Sequence, residues 1–103
     1  MSIPVTRVGD IGEGAECAAP GNNHRKYTAT YVTGAGTVYA NNIAVTTITS
    51  VADQTCGHSG QAVTGSATVF VENLAIHRIG DIGEGGAGDT YDTVTGSPDV
   101  YAG

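Results

Sequence analysis

The side chains of this sequence best suited to metal chemistry are its three histidines and two cysteines: His24, His58, His77, Cys17 and Cys56. Zinc in proteins is usually held by four nitrogen or sulfur ligands, and three histidines with one thiolate are a known combination. The strongest local pattern is TCGHSG at 55–60, where Cys56 and His58 lie two positions apart beside glycines. That spacing lets both side chains face one point, although a Cys-x-His pair alone is a weak signal.

Two acidic, glycine-rich stretches suggest a different chemistry. Residues 5–14 read VTRVGDIGEG and residues 76–85 read IHRIGDIGEG. The carboxylates that could bind calcium are Asp10 with Glu13 and Asp81 with Glu84. The stretches lack the alternating acids of an EF-hand, and no helix or βαβ unit is predicted around them, which argues against a nucleotide site. The favoured interpretation is a sharp turn used twice, in which Arg7 and Arg78 pair with nearby acids.

An internal repeat must position these residues. The pattern V-T-G-x-x-x-V-aromatic occurs at 32–42, 63–73 and 94–103, and its first valines are spaced by 31 residues. The segments that precede the pattern, here called heads, begin at residues 5, 45 and 76. The middle head is degenerate, because Thr47 replaces the arginine and Thr49 the glycine of the other two.

The spacing predicts a single domain, 1–103, built from three equivalent units. Their approximate bounds are 5–42, 43–73 and 74–103. The first head-to-head distance is 40 residues and the second is 31, so the first unit has nine extra residues. These are expected in the loop around CAAPGNNHRK, which has the composition of a turn.

Each unit is predicted to consist of short β-strands around a Gly-Asp turn. Valine, threonine, tyrosine and phenylalanine alternate as they do in pleated strands, and no segment has a helical period. Glycine at the turn supplies a positive φ, and the aspartate is expected to cap its own backbone two residues on. The recurring aromatics Tyr39, Phe70 and Tyr101 are expected in the core, with contacts to a partner protein as the alternative. The fold class is therefore all-β, with pseudo-threefold symmetry.

Charge and hydropathy exclude several classes of partner. Four basic residues stand against ten acidic ones, a net charge of -6, so no basic surface exists to bind nucleic acid or an anionic membrane. No apolar run approaches the roughly 18 residues that span a bilayer, and the start lacks the pattern of a signal peptide. Synthesis in the cytoplasm is expected, and a reducing compartment disfavours a Cys17–Cys56 disulfide.

Several segments resemble the PAAR-repeat family, whose members cap the spikes of contractile phage tails and type VI secretion systems. The segments are TRVGD, IHRIGD, GSATVFVENLAIHRIGD and GSPDVYAG, and the resemblance covers essentially the whole chain. The literal Pro-Ala-Ala-Arg is replaced by VTR, VTT and IHR, and the middle head has lost its Gly-Asp.

The resemblance implies a small cone of three β-repeats that does no enzymatic chemistry. Its base would bind a trimeric β-helical spike protein, and its vertex would contact the target membrane transiently. The chain alone would be a monomer with no nucleic-acid partner and no small-molecule substrate, assembled at the tip of a virion tail or a secretion-system spike.

The resemblance also implies one structural zinc ion near the vertex, held by three histidines and one cysteine. Carried onto this sequence, the ligands are His24, Cys56, His58 and His77, with Cys17 as the alternative thiolate. The choices between zinc and iron, and between phage tail and secretion system, stay open.

Two other functions fit parts of the pattern. A small zinc hydrolase would need only three protein ligands and a water, but no glutamate lies beside a histidine as an evident base. Glu16 and Asp53 are conceivable bases, but nothing singles them out. A calcium-held β-repeat or adhesin module would fit the acidity and the repeat. Three diversified units are not typical of such solenoids.

Overall fold

The computed structural model describes residues 3–15, 26–86 and 89–103. Within these ranges the chain forms short strands and turns and no helix, which confirms the all-β prediction. The strands are β1 (Ile3–Pro4), β2 (Ile11–Gly14), β3 (Tyr27–Tyr31), β4 (Tyr39–Ala40), β5 (Ile43–Ala44), β6 (Val51–Gln54), β7 (Ser59–Ala62), β8 (Phe70–Val71), β9 (Leu74–Ala75), β10 (Ile82–Glu84), β11 (Thr90–Thr93) and β12 (Tyr101–Ala102).

Six of these strands close into a barrel. Their order around it is β10-β11-β2-β3-β6-β7, and every neighbouring pair is antiparallel. Because successive side chains of a strand point to opposite faces, every second residue enters the barrel. In β3 the inward residues Tyr27, Ala29 and Tyr31 are buried, whereas those between them are half-buried. The barrel therefore consists of three hairpins, β2–β3, β6–β7 and β10–β11, whose loops lie at one end.

Three two-stranded sheets lie at the other end of the barrel. β4 pairs with β5 and β8 with β9, through two-residue turns at 41–42 and 72–73 whose residues all have positive φ, as in the twisted turns that favour hairpins. The third sheet joins the two chain ends, because Ile3 of β1 faces Ala102 of β12. Beneath the sheets lies a second apolar cluster, composed of Val5, Ala35, Ala40, Val45, Val71, Ile76 and Ala102.

The heads connect the sheets to the barrel through a closed ring of backbone hydrogen bonds. The N–H of Thr6 donates to the carbonyl of His77 at 3.0 Å, that of His77 to Thr46 at 3.0 Å, and that of Thr46 to Thr6 at 2.8 Å. All three residues are fully buried. Because each head bonds to both of the others, no head can shift alone.

The turns of the heads have the predicted positive φ. Gly9 and Gly80 adopt φ of 95° and 89°. In the degenerate middle head Thr49 takes the same conformation, with φ 75°. The predicted aspartate cap differs, since Asp10 accepts the N–H of Arg7 three residues before it, at 2.8 Å.

The recurring aromatics are on the surface, so the prediction that they lie in the core is wrong. Tyr39 and Phe70 are 59% exposed and Tyr101 is 51% exposed. In strands of two residues one side chain faces inward, and here it is the smaller neighbour, such as Ala40 or Ala102. Three neighbouring sheets leave little room beneath them, which favours the small residue inside.

No described helix is long and apolar enough to cross a membrane.

Candidate functional site

Two of the predicted zinc ligands lie on or beside the β6–β7 loop. His58 is half-buried, and its carbonyl accepts the N–H of Gln54 at 2.8 Å. Cys56 packs against the barrel core and is joined in a disulfide, which contradicts the expectation that its thiol is free. Because a metal is bound by the thiolate, Cys56 in this state offers no ligand. The other cysteine of the sequence, Cys17, and the predicted ligand His24 lie outside the described residues.

His77 lies in the barrel interior with both ring nitrogens engaged. Its Nδ1 is 2.7 Å from the carbonyl oxygen of Thr64, and its Nε2 is 2.8 Å from Tyr31 Oη and 2.7 Å from Thr93 Oγ1. A carbonyl only accepts hydrogen bonds, so Nδ1 carries the proton, and Nε2 accepts from one hydroxyl of the Tyr31–Thr93 pair. Burial lowers the pKa of His77 against the opposing effects of the Thr64 bond and the Asp81 charge. The ring is therefore neutral at physiological pH.

The structure does not bring His77 and His58 together. His77 contacts Tyr31 at one end of β3. The loop of His58 lies at the other end of this strand, because Thr55 N–H bonds to the Thr28 carbonyl. The end residues of β3, Tyr27 and Tyr31, are four positions apart, a rise of about 13 Å. Zinc requires every ligand atom within about 2.0–2.3 Å of the ion, so one ion does not bind both histidines.

The part of the chain that the structure describes contains no group of three or more histidine, cysteine or acidic side chains placed to hold a metal. At the loop end of the barrel, Tyr27, Gln54 and Asp89 approach one another without hydrogen bonds of normal geometry. Zinc binding by His58 and the undescribed His24 stays a prediction.

A column of four rings fills the barrel axis, and sequence reasoning missed it. Tyr31 lies 5.2 Å from His77 and 6.2 Å from Tyr91 between ring centroids, and Tyr91 lies 6.3 Å from Tyr27. This axial column runs from the head ring to the hairpin loops. Burial raises the pKa of all three tyrosines, so they remain protonated.

The glycines of the repeated DIGEG stretches make room for the column. A Cβ at Gly12 or Gly83 would collide with the ring of Tyr91, and one at Gly14 with the ring of Tyr27. The stretch recurs because a turn is followed each time by a strand whose inward face must be bare.

The acids of the same stretches are engaged by nearby side chains. Arg7 pairs with Asp10 at 3.1 Å and Arg78 with Asp81 at 2.8 Å, as predicted. Thr95 also donates to Asp10, at 2.9 Å. Although burial opposes it, hydrogen bonds from Arg78 and Thr64 lower the pKa of Asp81. These carboxylates stabilise the heads, which argues against the calcium interpretation.

Glu13 and Glu84, the other acids of the stretches, are exposed on the outer face of the barrel. The bases considered for a hydrolase are not near His77 either: Asp53 is exposed on the outside of β6 opposite Ser59, and Glu16 lies outside the described residues.

Compared with known proteins, the chain matches no family model and has no significant match among curated proteins.

Proposed function

We propose that the chain is a non-enzymatic tip that caps the trimeric β-helical spike of a contractile injection machine, on a phage tail or a type VI secretion system. The observation that carries the proposal is the ring of the three heads. The bridges Val5–Arg78, Arg7–Val45 and Thr47–Ile76 connect each head to the next in a cycle. One chain with three equivalent sides can match a partner with true threefold symmetry, which a single asymmetric surface cannot do.

Contacts between the small sheets support the same symmetry. The turn of β4–β5 reaches the third unit, where Ser97 Oγ donates to Asn41 Oδ1 at 2.6 Å. The turn of β8–β9 reaches the first unit, where Thr37 Oγ1 donates to Glu72 Oε2 at 2.7 Å. At the third position Ser66 of the second unit bonds the carbonyl of Gly103. Each turn thus holds the V-T-G segment of another unit in a consistent direction.

The exposed aromatics supply the binding face of the proposed base. Tyr39, Phe70 and Tyr101 occupy the same place in the three small sheets, at the end away from the hairpin loops. Large aromatic side chains often dominate binding energy at protein interfaces. The backbone edges of these two-stranded sheets would pair with strand ends of the spike. The opposite end of the 38 Å long body would then point at the target membrane.

Any zinc in this proposal would hold the hairpin loops together and do no chemistry. His58 and Asp89 are the described residues that could contribute, and His24 would have to complete the set. The spike-capping proposal does not depend on that ion.

The test is the stoichiometry of binding to the trimeric β-helical spike protein encoded in the same genome, measured by light scattering and calorimetry. We expect one copy of this chain per spike trimer. A triple variant, Tyr39→Ser, Phe70→Ser and Tyr101→Ser, should weaken binding at least 100-fold, because each lost aromatic anchor costs about 1–2 kcal/mol or more.

The matched control is a second threefold set of exposed apolar residues on the barrel. Val32, Val63 and Val94 are 45%, 47% and 40% exposed and share the 31-residue spacing. Their triple change to serine should leave the affinity within a factor of about three, since they follow barrel strands and do not belong to the small sheets that carry the aromatics. Failure to form the one-to-three complex, or equal effects of the two triple variants, would contradict the proposal.

A further inference from the structure

We infer that His77 is a hydrogen-bonding member of the axial column and not a metal ligand, and that this column braces the barrel without a metal ion at its axis. His77 would instead act as a neutral acceptor for one hydroxyl of the hydrogen-bonded Tyr31–Thr93 pair. The inference holds whether or not the chain caps a spike.

Side chains that enter the barrel at the same level share the space at its axis. Residues 31 apart enter the barrel at the same level, because the N–H groups of Tyr31, Ala62 and Thr93 donate to the equivalent carbonyls of the three heads. Of these three side chains only one is large. One level further on, Tyr91 corresponds to Ala29 and Gly60. In a six-stranded barrel the inward side chains meet at a narrow axis, and each of these two levels holds one ring and two small partners.

The head ring follows the same rule, since Thr6 and Thr46 are the counterparts of His77. The imidazole is thus the large member of its level, as Tyr31 and Tyr91 are of theirs. A histidine at this position is explained by the need for one large side chain at the axis, without any role as a metal ligand.

The hydrogen-bonding groups around His77 Nε2 oppose metal binding. The three atoms His77 Nε2, Tyr31 Oη and Thr93 Oγ1 lie 2.7–3.0 Å from one another. A metal on Nε2 would displace both hydroxyls in a site from which water is excluded, since His77 and Tyr31 are 0% exposed. The other nitrogen is bonded to the Thr64 carbonyl. Metal binding would therefore leave buried polar groups unpaired, which is strongly unfavourable.

Two tyrosines of the column provide a matched test. Tyr31→Phe removes a hydroxyl that bonds His77 and Thr93. Tyr91→Phe removes the same atom from a ring 6.2 Å away, where the hydroxyl approaches Tyr31 but makes no hydrogen bond of normal geometry. We expect Tyr31→Phe to lower the unfolding midpoint by about 4–8 °C, and Tyr91→Phe to leave it unchanged or slightly raised.

The metal question is answered on the unaltered protein. Nitrogen-15 spectra of the imidazoles should show His77 as the neutral Nδ1–H form, and addition of ZnCl₂ should leave its signals in place. Dialysis against EDTA should likewise leave the His77 signals unchanged. Zinc-dependent shifts of the His77 nitrogens, or a chelator-sensitive midpoint together with equal effects of the two tyrosine changes, would overturn the inference. Shifts confined to His58 would support it, because they place any zinc at the loops.

Discussion

His77 makes the stability of the barrel depend on pH. Its pKa is lowered, and burial is the main cause. Arg78 nearby also lowers this pKa, whereas Asp81 raises it. Tyr31 and Thr93 solvate the neutral ring, but they cannot offset the cost of a buried positive charge.

We predict that the protein loses stability as the pH falls below about 6.5. The unfolded chain then binds a proton at His77 with an ordinary pKa of about 6.5, while the folded chain does not until its lower pKa is reached. The loss is at most about 1.4 kcal/mol per pH unit, because one proton is involved. Urea titrations at pH 7, 6 and 5 would measure it.

A His58→Gln variant is the control for this titration, since His58 is half-buried on a loop and its replacement should leave the slope in place. Disappearance of the pH dependence in that variant, or equal stability at pH 7 and pH 5, would contradict the assignment. A separate loss is expected only below about pH 4, where protonation of Asp81 ends its bonds to Arg78.

At the scale of the element, the turn of the middle head has a strained backbone because the repeat is degenerate there. Thr49 is exposed and has φ 75°, in the place that Gly9 and Gly80 occupy in the other heads. A β-branched residue rarely adopts this conformation. Thr49 keeps this conformation because its N–H still donates to the Ala62 carbonyl, at 2.8 Å.

We predict that Thr49→Gly stabilises the protein by about 1 kcal/mol, through relief of this backbone strain. The reverse type of change, Gly80→Ala, should destabilise it by a similar amount, although an added Cβ there meets nothing within 4 Å. Thermal unfolding of the two variants would show shifts of opposite sign. Shifts of the same sign would mean that the left-handed turn is not the source of the difference.

At the scale of the whole molecule, residue types and their local order predicted the all-β class, the left-handed turns at Gly9 and Gly80 and the two Arg-Asp pairs, because each depends on residues close in sequence. The repeat spacing predicted the division into three units. Closure of the barrel did not follow from it. Strands of two to five residues do not reveal which distant strand they will pair with.

The same limit misassigned the recurring aromatic residues. The aromatics that recur in every unit, such as Tyr39 and Phe70, face outward, whereas Tyr31 and Tyr91 occur at positions where the other units have small residues. A narrow axis has room for one ring at each level, so the core is built by the residues that break the repeat. A search for recurring residues therefore finds the surface and passes over the core.

The closed ring has a consequence for chain connectivity. Ile3 and Ala102 face each other as Ile43 and Ala40 do within the β4–β5 hairpin. β1 and β12 thus occupy the place of a hairpin, and we expect the fold to tolerate a cut at either of the other two turns.

We therefore predict that a circular permutant folds to the same structure. It would join Ala102 to Ile3 through an Asn-Gly linker, which suits this type of turn, and begin at Asn73 with Glu72 as its last residue. Its unfolding free energy should lie within about 1 kcal/mol of the parent, because the new ends lie at an exposed hairpin turn. A second permutant, opened between Thr46 and Thr47, should fail to fold, since that cut interrupts the buried head ring. Circular dichroism and urea denaturation of both permutants would test this prediction. If the two permutants were equally stable, or if the first were unfolded, the heads would not form the closed ring on which the threefold proposal depends.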